Sequence, residues 1–380
     1  SSIDAFSQEL RVSGDNELAS WVAGVYYSEN DVDNVANQSF NLSTSTNGLL
    51  GGAPVGNFPS IDNTAQQDAT TIAAFASADW FISDKLTLTT GLRYSDDEID
   101  FKGCTADTGD GALSTFFNVL TDVVSGGALE GNAVPGGCAT WDLPTPESAI
   151  GPSGLVKREL DEDSTSWRVA LNYDITDGTS VYTSYSRGFK SGSFPTLGAS
   201  NSNQYKPVVQ EQVDAYEIGF KSSLQEGAAQ INGAAYYYDY TDKQLLTKIS
   251  DPVFGRLFAL ENVDDSEVWG AELEALWMPI DGLTLGTSVN WMETEIGEFI
   301  GSNQVGEEID FDGSEFPFSS NWQANASASY EWDLSDRLVG MVSLEAAYTG
   351  DAVADYKSDD ATTTDGQPYK YDSRFDIDSY

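Results

Sequence analysis

Short polar turns alternate with long polar segments between the strand-like stretches of this chain, and this alternation constrains the fold more than any motif does. The short turns are Gly14-Asp15-Asn16-Glu17, Ser83-Asp84-Lys85, Thr176-Asp177-Gly178-Thr179, Gln225-Glu226-Gly227, Asp281-Gly282 and Ser335-Asp336-Arg337. The segments between them run to roughly 20–60 residues, whereas connections in compact domains usually have about 2–6. An up-and-down transmembrane β-barrel has this asymmetry, with short periplasmic turns and long extracellular loops.

Apolar and polar residues alternate along the predicted strands, as they do in a wall between lipid and water. The face predicted to meet lipid carries Leu86, Leu88, Leu92, Val169, Leu171, Leu285 and Val289. The face predicted to meet the lumen carries Arg93, Arg168, Ser288 and Asn325. Trp322 and Trp332 lie ten positions apart on the apolar face, a spacing that is typical of aromatic girdles at two membrane interfaces. Ordinary core aromatics of a soluble β domain are the alternative.

The chain has no run of 18 or more apolar residues, so it offers no transmembrane helix. We count about 13 strand segments, and the last, Arg374–Tyr380, begins a strand and stops. An open sheet edge is not tolerated in lipid, and single-chain bacterial barrels have an even number of strands. We therefore expect an all-β fold, in which residues 1–380 are a partial outer-membrane β-barrel domain that is cut at both ends.

The charge and the missing histidines exclude several functions. The formal net charge is −43, with 18 Lys+Arg against 61 Asp+Glu, which argues against nucleic-acid binding. Histidine is absent, so the commonest general base and the usual triad partner are missing. We expect no enzymatic activity, no cofactor and no dedicated metal site.

The two cysteines, Cys104 and Cys138, share one Gly-rich polar loop. A disulfide between them fits an oxidising location at the cell surface or in the periplasm. Two free thiols are the alternative. Closing a loop of this size would contribute roughly 3–4 kcal/mol in the chain-entropy model.

Several strand motifs resemble the barrels of TonB-dependent outer-membrane receptors. The sharpest are Tyr-Ser-Arg-Gly-Phe-Lys-Ser-Gly at 185–192 and Ala-Tyr-Glu-Ile-Gly-Phe-Lys at 215–221. Phe6–Arg11, Trp21–Tyr27, Leu86–Tyr94 and Trp269–Glu274 fit the same pattern. The resemblance implies a barrel of 22 strands around an N-terminal plug domain; this sequence contains neither the plug nor the closing strands.

The resemblance implies a receptor in the outer membrane of a Gram-negative bacterium that takes up a scarce nutrient with energy from TonB. A ferric siderophore-like chelate is the favoured ligand, with cobalamin or an oligosaccharide also open. A passive porin-type channel and a surface barrel that acts as anchor or adhesin are the alternatives. The expected partners are outer-membrane lipid and lipopolysaccharide, TonB through the region outside this sequence, the small-molecule ligand and a surface protein.

Six residues near the outer strand ends are candidates for ligand contact, because charged and aromatic side chains at a concave mouth suit ligand capture. They are Arg187, Phe189, Lys190, Tyr205, Phe254 and Phe258. The alternative for Arg187 and Lys190 is a structural role, in which they pair with lumen carboxylates. Six further charges are predicted to face the lumen and to form cross-strand charge ladders: Arg93, Arg168, Glu217, Lys221, Glu272 and Glu274.

Three acidic runs are predicted to lie at the outer ends of strands. They are Asp96-Asp97-Glu98, Asp161-Glu162-Asp163 and Asp264-Asp265. Solvated rim charges are the first interpretation. The alternative is that they bind Ca²⁺, which prefers carboxylate oxygens, or bridge through divalent ions to anionic lipid.

Overall fold

The computed structural model describes residues 1–39, 58–251, 253–302, 308–354 and 370–379. Its large sheet consists of strands β1 Ser2–Asp15, β2 Ala19–Ser39, β3 Ser60–Ser83, β4 Leu86–Ala106, β5 Val156–Thr176, β6 Thr179–Lys190, β7 Glu211–Leu224, β8 Ala229–Asp251, β9 Gly255–Ile280, β10 Leu283–Ile296, β13 Trp322–Ser335, β14 Leu338–Thr349 and β17 Arg374–Ser379. Short strands outside it are β11 Ile300–Ser302, β12 Glu308–Asp310, β15 Ala352–Val353 and β16 Lys370–Tyr371. One α-helix, α1, spans Ala112–Ser125.

The 13 strands of the large sheet follow one another in chain order, each antiparallel to its neighbours. This confirms the predicted all-β, up-and-down architecture and the strand count. All six predicted turns join neighbouring strands. Within the described residues the sheet does not close, and β1 and β17 are its edges. No helix among these residues is both long and apolar enough to cross a bilayer.

The strand register separates the two predicted sets of side chains. Arg93 is opposite Ser166, Arg168 is opposite Ser186, and the same alternation continues from β6 to β13. All six predicted lumen charges, with Ser288 and Asn325, therefore share one face, which we call the polar face. The predicted lipid set lies on the other, the apolar face, where Leu92 is 57% exposed. The predicted separation of the two sets onto opposite faces is confirmed.

Aromatic side chains form two bands on the apolar face. The band toward the long connections contains Tyr94, Trp167, Tyr185, Tyr216, Tyr237, Trp291 and Trp322. Its rings touch across strands; the Tyr185 and Tyr216 centroids are 4.5 Å apart. The band toward the short turns contains Trp21, Trp80, Tyr173, Trp277, Tyr330 and Trp332. Such bands mark the two interfaces of a membrane-spanning wall.

Much of the sequence predicted as long loops is paired strand. The strand-like sequence covers only 229–241 and 268–278, but β8 continues to Asp251 and β9 begins at Gly255. Likewise β2 runs to Ser39 and β3 starts at Ser60. The outer halves of these hairpins are partly buried against neighbouring connections, and the buried positions include polar side chains such as Asn63, Gln244 and Thr247. Polar residues at buried positions hide the alternation that identifies a half-buried strand, although the backbone pairing persists.

The connection between β4 and β5 contains helix α1, which was not predicted. Leu113, Phe116, Phe117 and Leu120 are buried at helical spacing along it. Their side chains pack against Phe58, Trp141 and other apolar residues of the neighbouring connections. We call the packed unit formed by residues 101–156 and 191–208 the outer body.

Candidate ligand-binding site and lumen wall

Aromatic rings hold the outer body together beside the ends of β4 and β5. The Phe101 ring stacks on Phe194 with centroids 4.8 Å apart, and Tyr205 tilts against Phe101 at 5.3 Å. Tyr205 has no exposed surface, and its hydroxyl donates to the carbonyl of Leu197 at 3.3 Å. Burial raises the pKa of Tyr205 to about 12. Predicted as a ligand contact, Tyr205 is instead a core residue of the outer body.

The two predicted phenylalanines of the β8–β9 hairpin have different surroundings. Phe254 is half-buried, and its ring lies 5.9 Å from that of Phe58 and 6.3 Å from that of Phe117. Phe258 is 61% exposed, and the Lys248 ammonium lies 5.6 Å from its ring centroid. Of the two, Phe258 offers an open aromatic surface to a ligand.

Arg187 forms a two-point ion pair with Asp214 on the neighbouring strand. Its Nε donates to Oδ1 at 2.9 Å and its Nη2 to Oδ2 at 2.7 Å, while the Tyr185 hydroxyl also donates to Oδ1. The register places Arg187 and Asp214 on the apolar face, beside the outer aromatic band. The expectation that Arg187 pairs with a lumen carboxylate is therefore wrong. Phe189 is half-buried on the same face, and Lys190 is exposed at the end of β6.

The predicted disulfide joins Cys104 to Cys138, with the two Cα atoms 5.6 Å apart. Next to it, the backbone N–H of Thr105 donates to Thr140 Oγ1 at 2.8 Å. The Thr140 hydroxyl donates to the carbonyl of Ala199, and the N–H of Ala199 donates to Thr105 Oγ1. The disulfide and these buried hydrogen bonds fasten three distant segments of the chain to one another.

Asp107 anchors α1, a role that was not predicted from the sequence. Its Oδ1 accepts from the backbone N–H groups of Gly109, Gly111 and Gly136, and its Oδ2 accepts from that of Ser114. Burial alone would raise its pKa, but these four hydrogen bonds to the ionised form outweigh burial and hold the pKa of Asp107 below its usual value.

Two of the acidic runs face each other across β4 and β5 rather than ending the strands. Asp96 is opposite Asp163, Asp97 opposite Glu162, and Glu98 opposite Asp161. The carboxylates of Glu98, Glu159 and Asp161 come within 4.8 Å of one another and are exposed. Like charges directly opposite each other destabilise a strand pair. The third run, at Asp264 and Asp265, lies on β9 away from this group; Ca²⁺ binding by the acidic runs stays a prediction.

The predicted charge ladders on the polar face are wrong. None of the six predicted lumen charges forms an ion pair with a described residue. Lys221 instead lies 5.9 Å from the ring centroid of Tyr182, and Arg93 lies 5.3 Å from that of Tyr26. The registers explain this result, because polar or small residues such as Ser166, Ala234 and Asn232 stand opposite these charges.

A polar-face recess crosses β1 to β7, and the sequence did not predict it. Its volume is about 660 Å³, and its lining includes three arginines and one carboxylate beside small and aromatic side chains: Arg11, Arg93, Arg168, Glu9, Phe75, Ser77 and Gly91. It lies on the inner side of the wall, at the level of Tyr94 and Trp167 in the outer aromatic band. The outer body is at the same end of the sheet. This end therefore carries both the recess and the exposed aromatic side chain of Phe258, as expected of a ligand entrance.

Comparison with known proteins assigns the wall to a family. The sequence model described as "TonB dependent receptor-like, beta-barrel" matches residues 3–380. The chain belongs to this family. Its members are outer-membrane transport receptors of Gram-negative bacteria rather than enzymes. The apolar face of this family member is accordingly its lipid side and the polar face its lumen side.

Similar proteins include receptors of known ligands. The chain is 24% identical to the pesticin receptor of Yersinia pestis over 328 residues, which cover 85% of the chain and 37% of that receptor. It is 25% identical to the rhizobactin receptor of Rhizobium meliloti (strain 1021), covering 69% of the chain and 30% of that receptor. The ferric yersiniabactin uptake receptor from Yersinia pestis has a similar fold, with a TM-score of 0.67 at 18% identity over 99% of the chain and 46% of that structure. The chain thus spans less than half the length of these relatives.

Proposed function

We propose that this barrel wall is part of a TonB-dependent receptor that takes up a ferric siderophore-like chelate across the outer membrane. The family match over residues 3–380 carries the proposal. Receptors named for pesticin, rhizobactin and ferric yersiniabactin are among the similar proteins, and this favours an iron chelate over cobalamin or an oligosaccharide. Energy coupling would require a plug domain and TonB, in line with the resemblance.

The arrangement of the described residues supports ligand capture at the end that carries the outer body. Phe258 and Lys190 are exposed there and are the predicted contacts best placed to meet a ligand from outside. Phe189 and Phe254 are half-buried and would contribute through their edges. Arg187 is engaged by Asp214, and Tyr205 is enclosed, so neither is placed for direct contact in this structure.

Uptake of radioactive iron by cells that carry the complete gene tests the proposal. Cells should accumulate iron from a panel of ferric siderophores only when both the gene and an energised TonB system are present. Uptake that continues unchanged without TonB would favour a passive channel. Gene-dependent attachment to a surface protein without any uptake would favour an anchor or adhesin.

The Phe258→Ala variant tests the site within the same assay. Loss of the exposed ring should weaken ligand capture and lower uptake at limiting chelate, because stacking surface at the mouth is removed. Val35→Ala is the matched control, since Val35 is a 59% exposed apolar residue on a different hairpin. Equal uptake by the two variants would remove Phe258 from the site.

A further inference from the structure

We infer that the recess on the polar face binds carboxylate groups of a small anionic ligand through Arg93 and Arg168. The inference deepens the proposed function, on which it rests, by giving the ligand a chemical class. Guanidinium groups present planar pairs of N–H donors that match carboxylate geometry. The decisive observation is that these two cations lie side by side with no described carboxylate partner, in a chain with a net charge of −43.

The strand register places the two arginines close together. Arg93 is opposite Ser166, and Arg168 is opposite Gly91, so they are diagonal neighbours on β4 and β5. Such neighbours have Cβ atoms about 7–8 Å apart, and long side chains can converge on one group from that distance. Arg11 lies on the same face, in the row that runs from Arg11 through Gly24 and Phe75 to Arg93.

Arg93 is held in an orientation that leaves donors free. Its Nε donates to Ser95 Oγ at 2.9 Å, and its guanidinium carbon lies 5.3 Å from the Tyr26 ring centroid. Neither of its Nη atoms donates to a described residue. Arg168 is exposed and makes no hydrogen bond within the described part of the chain. A bound carboxylate would supply the partner that both groups lack.

The carboxylates along the same faces already have other partners. Glu162 accepts from the backbone N–H groups of Gly192 and Gln210, at 2.8 and 2.7 Å. Asp97 accepts from the hydroxyls of Thr71 and Ser191. Asp79, toward the short turns, accepts from the Thr89 hydroxyl at 2.5 Å. Arg11 is paired with Glu9. Among the described residues, no carboxylate lies within ion-pair distance of Arg93 or Arg168, and Glu9, which lines the same recess, is engaged by Arg11.

The recess owes its depth to residues with little or no side chain. A Cβ built on Gly91 would meet only Ser77, at 3.7 and 3.9 Å, so the space above Gly91 is open. Ser166 and Ser186 line the same recess. Its position at the level of the outer aromatic band makes it reachable for a ligand that enters from outside.

Isothermal titration calorimetry on the complete receptor in detergent tests the inference. Citrate is the probe, its trimethyl ester is the uncharged control, and inorganic phosphate is the competing anion. Citrate should bind and the ester should not. Arg93→Gln or Arg168→Gln should each weaken citrate binding about tenfold, and the double variant should abolish it. Phosphate should displace citrate only weakly, because it offers one anionic group where citrate offers three carboxylates.

Two further variants keep the result interpretable. Arg337→Gln removes the same charge from an exposed short turn and should bind citrate as the wild type does. Gly91→Leu should block the recess without removing charge, because its Cβ has room and its side chain would extend into the open space. Absence of citrate binding to the wild type would overturn the inference, as would unchanged binding by the double variant or by Gly91→Leu in a folded receptor.

The outcome separates the inference from the function on which it rests. TonB-dependent uptake that is unaffected by Arg93→Gln and Arg168→Gln would overturn the carboxylate site and leave the uptake function standing. Citrate binding that is lost in these variants, in a receptor whose gene supports no TonB-dependent uptake, would support the site and overturn the proposed function.

Discussion

At the scale of single residues, Asp107 is the side chain whose removal should loosen the outer body most selectively. An asparagine at this position keeps one acceptor oxygen but presents an NH₂ group to the backbone N–H of Ser114. We expect Asp107→Asn to destabilise the helix connection by about 1–3 kcal/mol, the cost of an unpaired buried donor. Hydrogen exchange at the amides of 112–125 measures this change. Asp110→Asn is the control, because Asp110 is exposed and accepts from only one amide, that of Ala112.

The same carboxylate gives the outer body a predictable pH dependence. Because the pKa of Asp107 is lower in the folded state, its stabilisation is fully present above the ordinary value of about 4. It is lost as the pH falls through the lower, folded value. Protection factors at α1, which correct for the pH dependence of the intrinsic exchange rate, should therefore fall on acidification below about pH 4 in the wild type, and less so in Asp107→Asn. Identical pH profiles would contradict this assignment.

Single residues also show where sequence reasoning stops. The motif around Arg187 was recognisable, but its partner Asp214 lies on the next strand and on the apolar face, which only the register reveals. Tyr205 is buried because Phe101 and Phe194 arrive from two other segments. Phe258, another predicted ligand contact, is exposed on the β8–β9 hairpin.

At the scale of elements, the disulfide closes the connection that contains α1. The Cys104–Cys138 bond closes a connection of 34 residues in sequence separation, and α1 lies inside it. We expect a double Cys104→Ala, Cys138→Ala variant to lose roughly 3–4 kcal/mol of stability in this connection. Limited proteolysis should then cut within 107–137, whereas the strands of the wall stay protected. Proteolysis that spreads equally into β5 and β6 would show instead that the bond supports the whole wall.

Elements differed in how far they could be predicted. The strands inside the bilayer have one lipid face and one aqueous face, so their alternation was visible in the sequence, as for Leu285, Ser288 and Val289 on β10. The outer half of β2 reads Glu29-Asn30-Asp31-Val32-Asp33 and has no apolar face to detect. Helix α1 did leave a signal, in Leu113, Phe116, Phe117 and Leu120, but it was hidden within a loop rich in glycine.

At the scale of the whole molecule, neighbouring positions on one strand should respond oppositely to the same substitution. Leu171 lies on the apolar face and Ala170 on the polar face. Leu171→Lys places an ammonium in hydrocarbon, at a cost of about 2–4 kcal/mol near the midplane, whereas Ala170→Lys points into water. The fraction of heat-modifiable folded barrel in outer-membrane preparations measures the difference. Equal assembly of the two variants would contradict the assignment of faces.

The polar face carries charges of both signs. Arg11, Arg93 and Arg168 lie together across β1 to β5, and Glu217, Glu272 and Glu274 lie across β7 to β9. Sequence alone placed Arg93, Arg168, Glu217, Glu272 and Glu274 on one face, because that assignment needs only local alternation. The grouping of the arginines into a cationic recess needed the pairing of strands that are far apart in sequence.

The outward continuation of the barrel hairpins restricts how this surface can change in length. A single residue added to the outer half of β8 would turn every side chain beyond it to the opposite face of the ladder with β9. An insertion keeps every side chain on its face only when both strands of the hairpin gain the same even number of residues. The exception is an insertion at an irregular position such as Asp242, where φ is 54°. Insertions and deletions among related receptors should therefore accumulate in hairpin tips and at such irregular positions. The paired parts of the strands should keep the same side chains on each face.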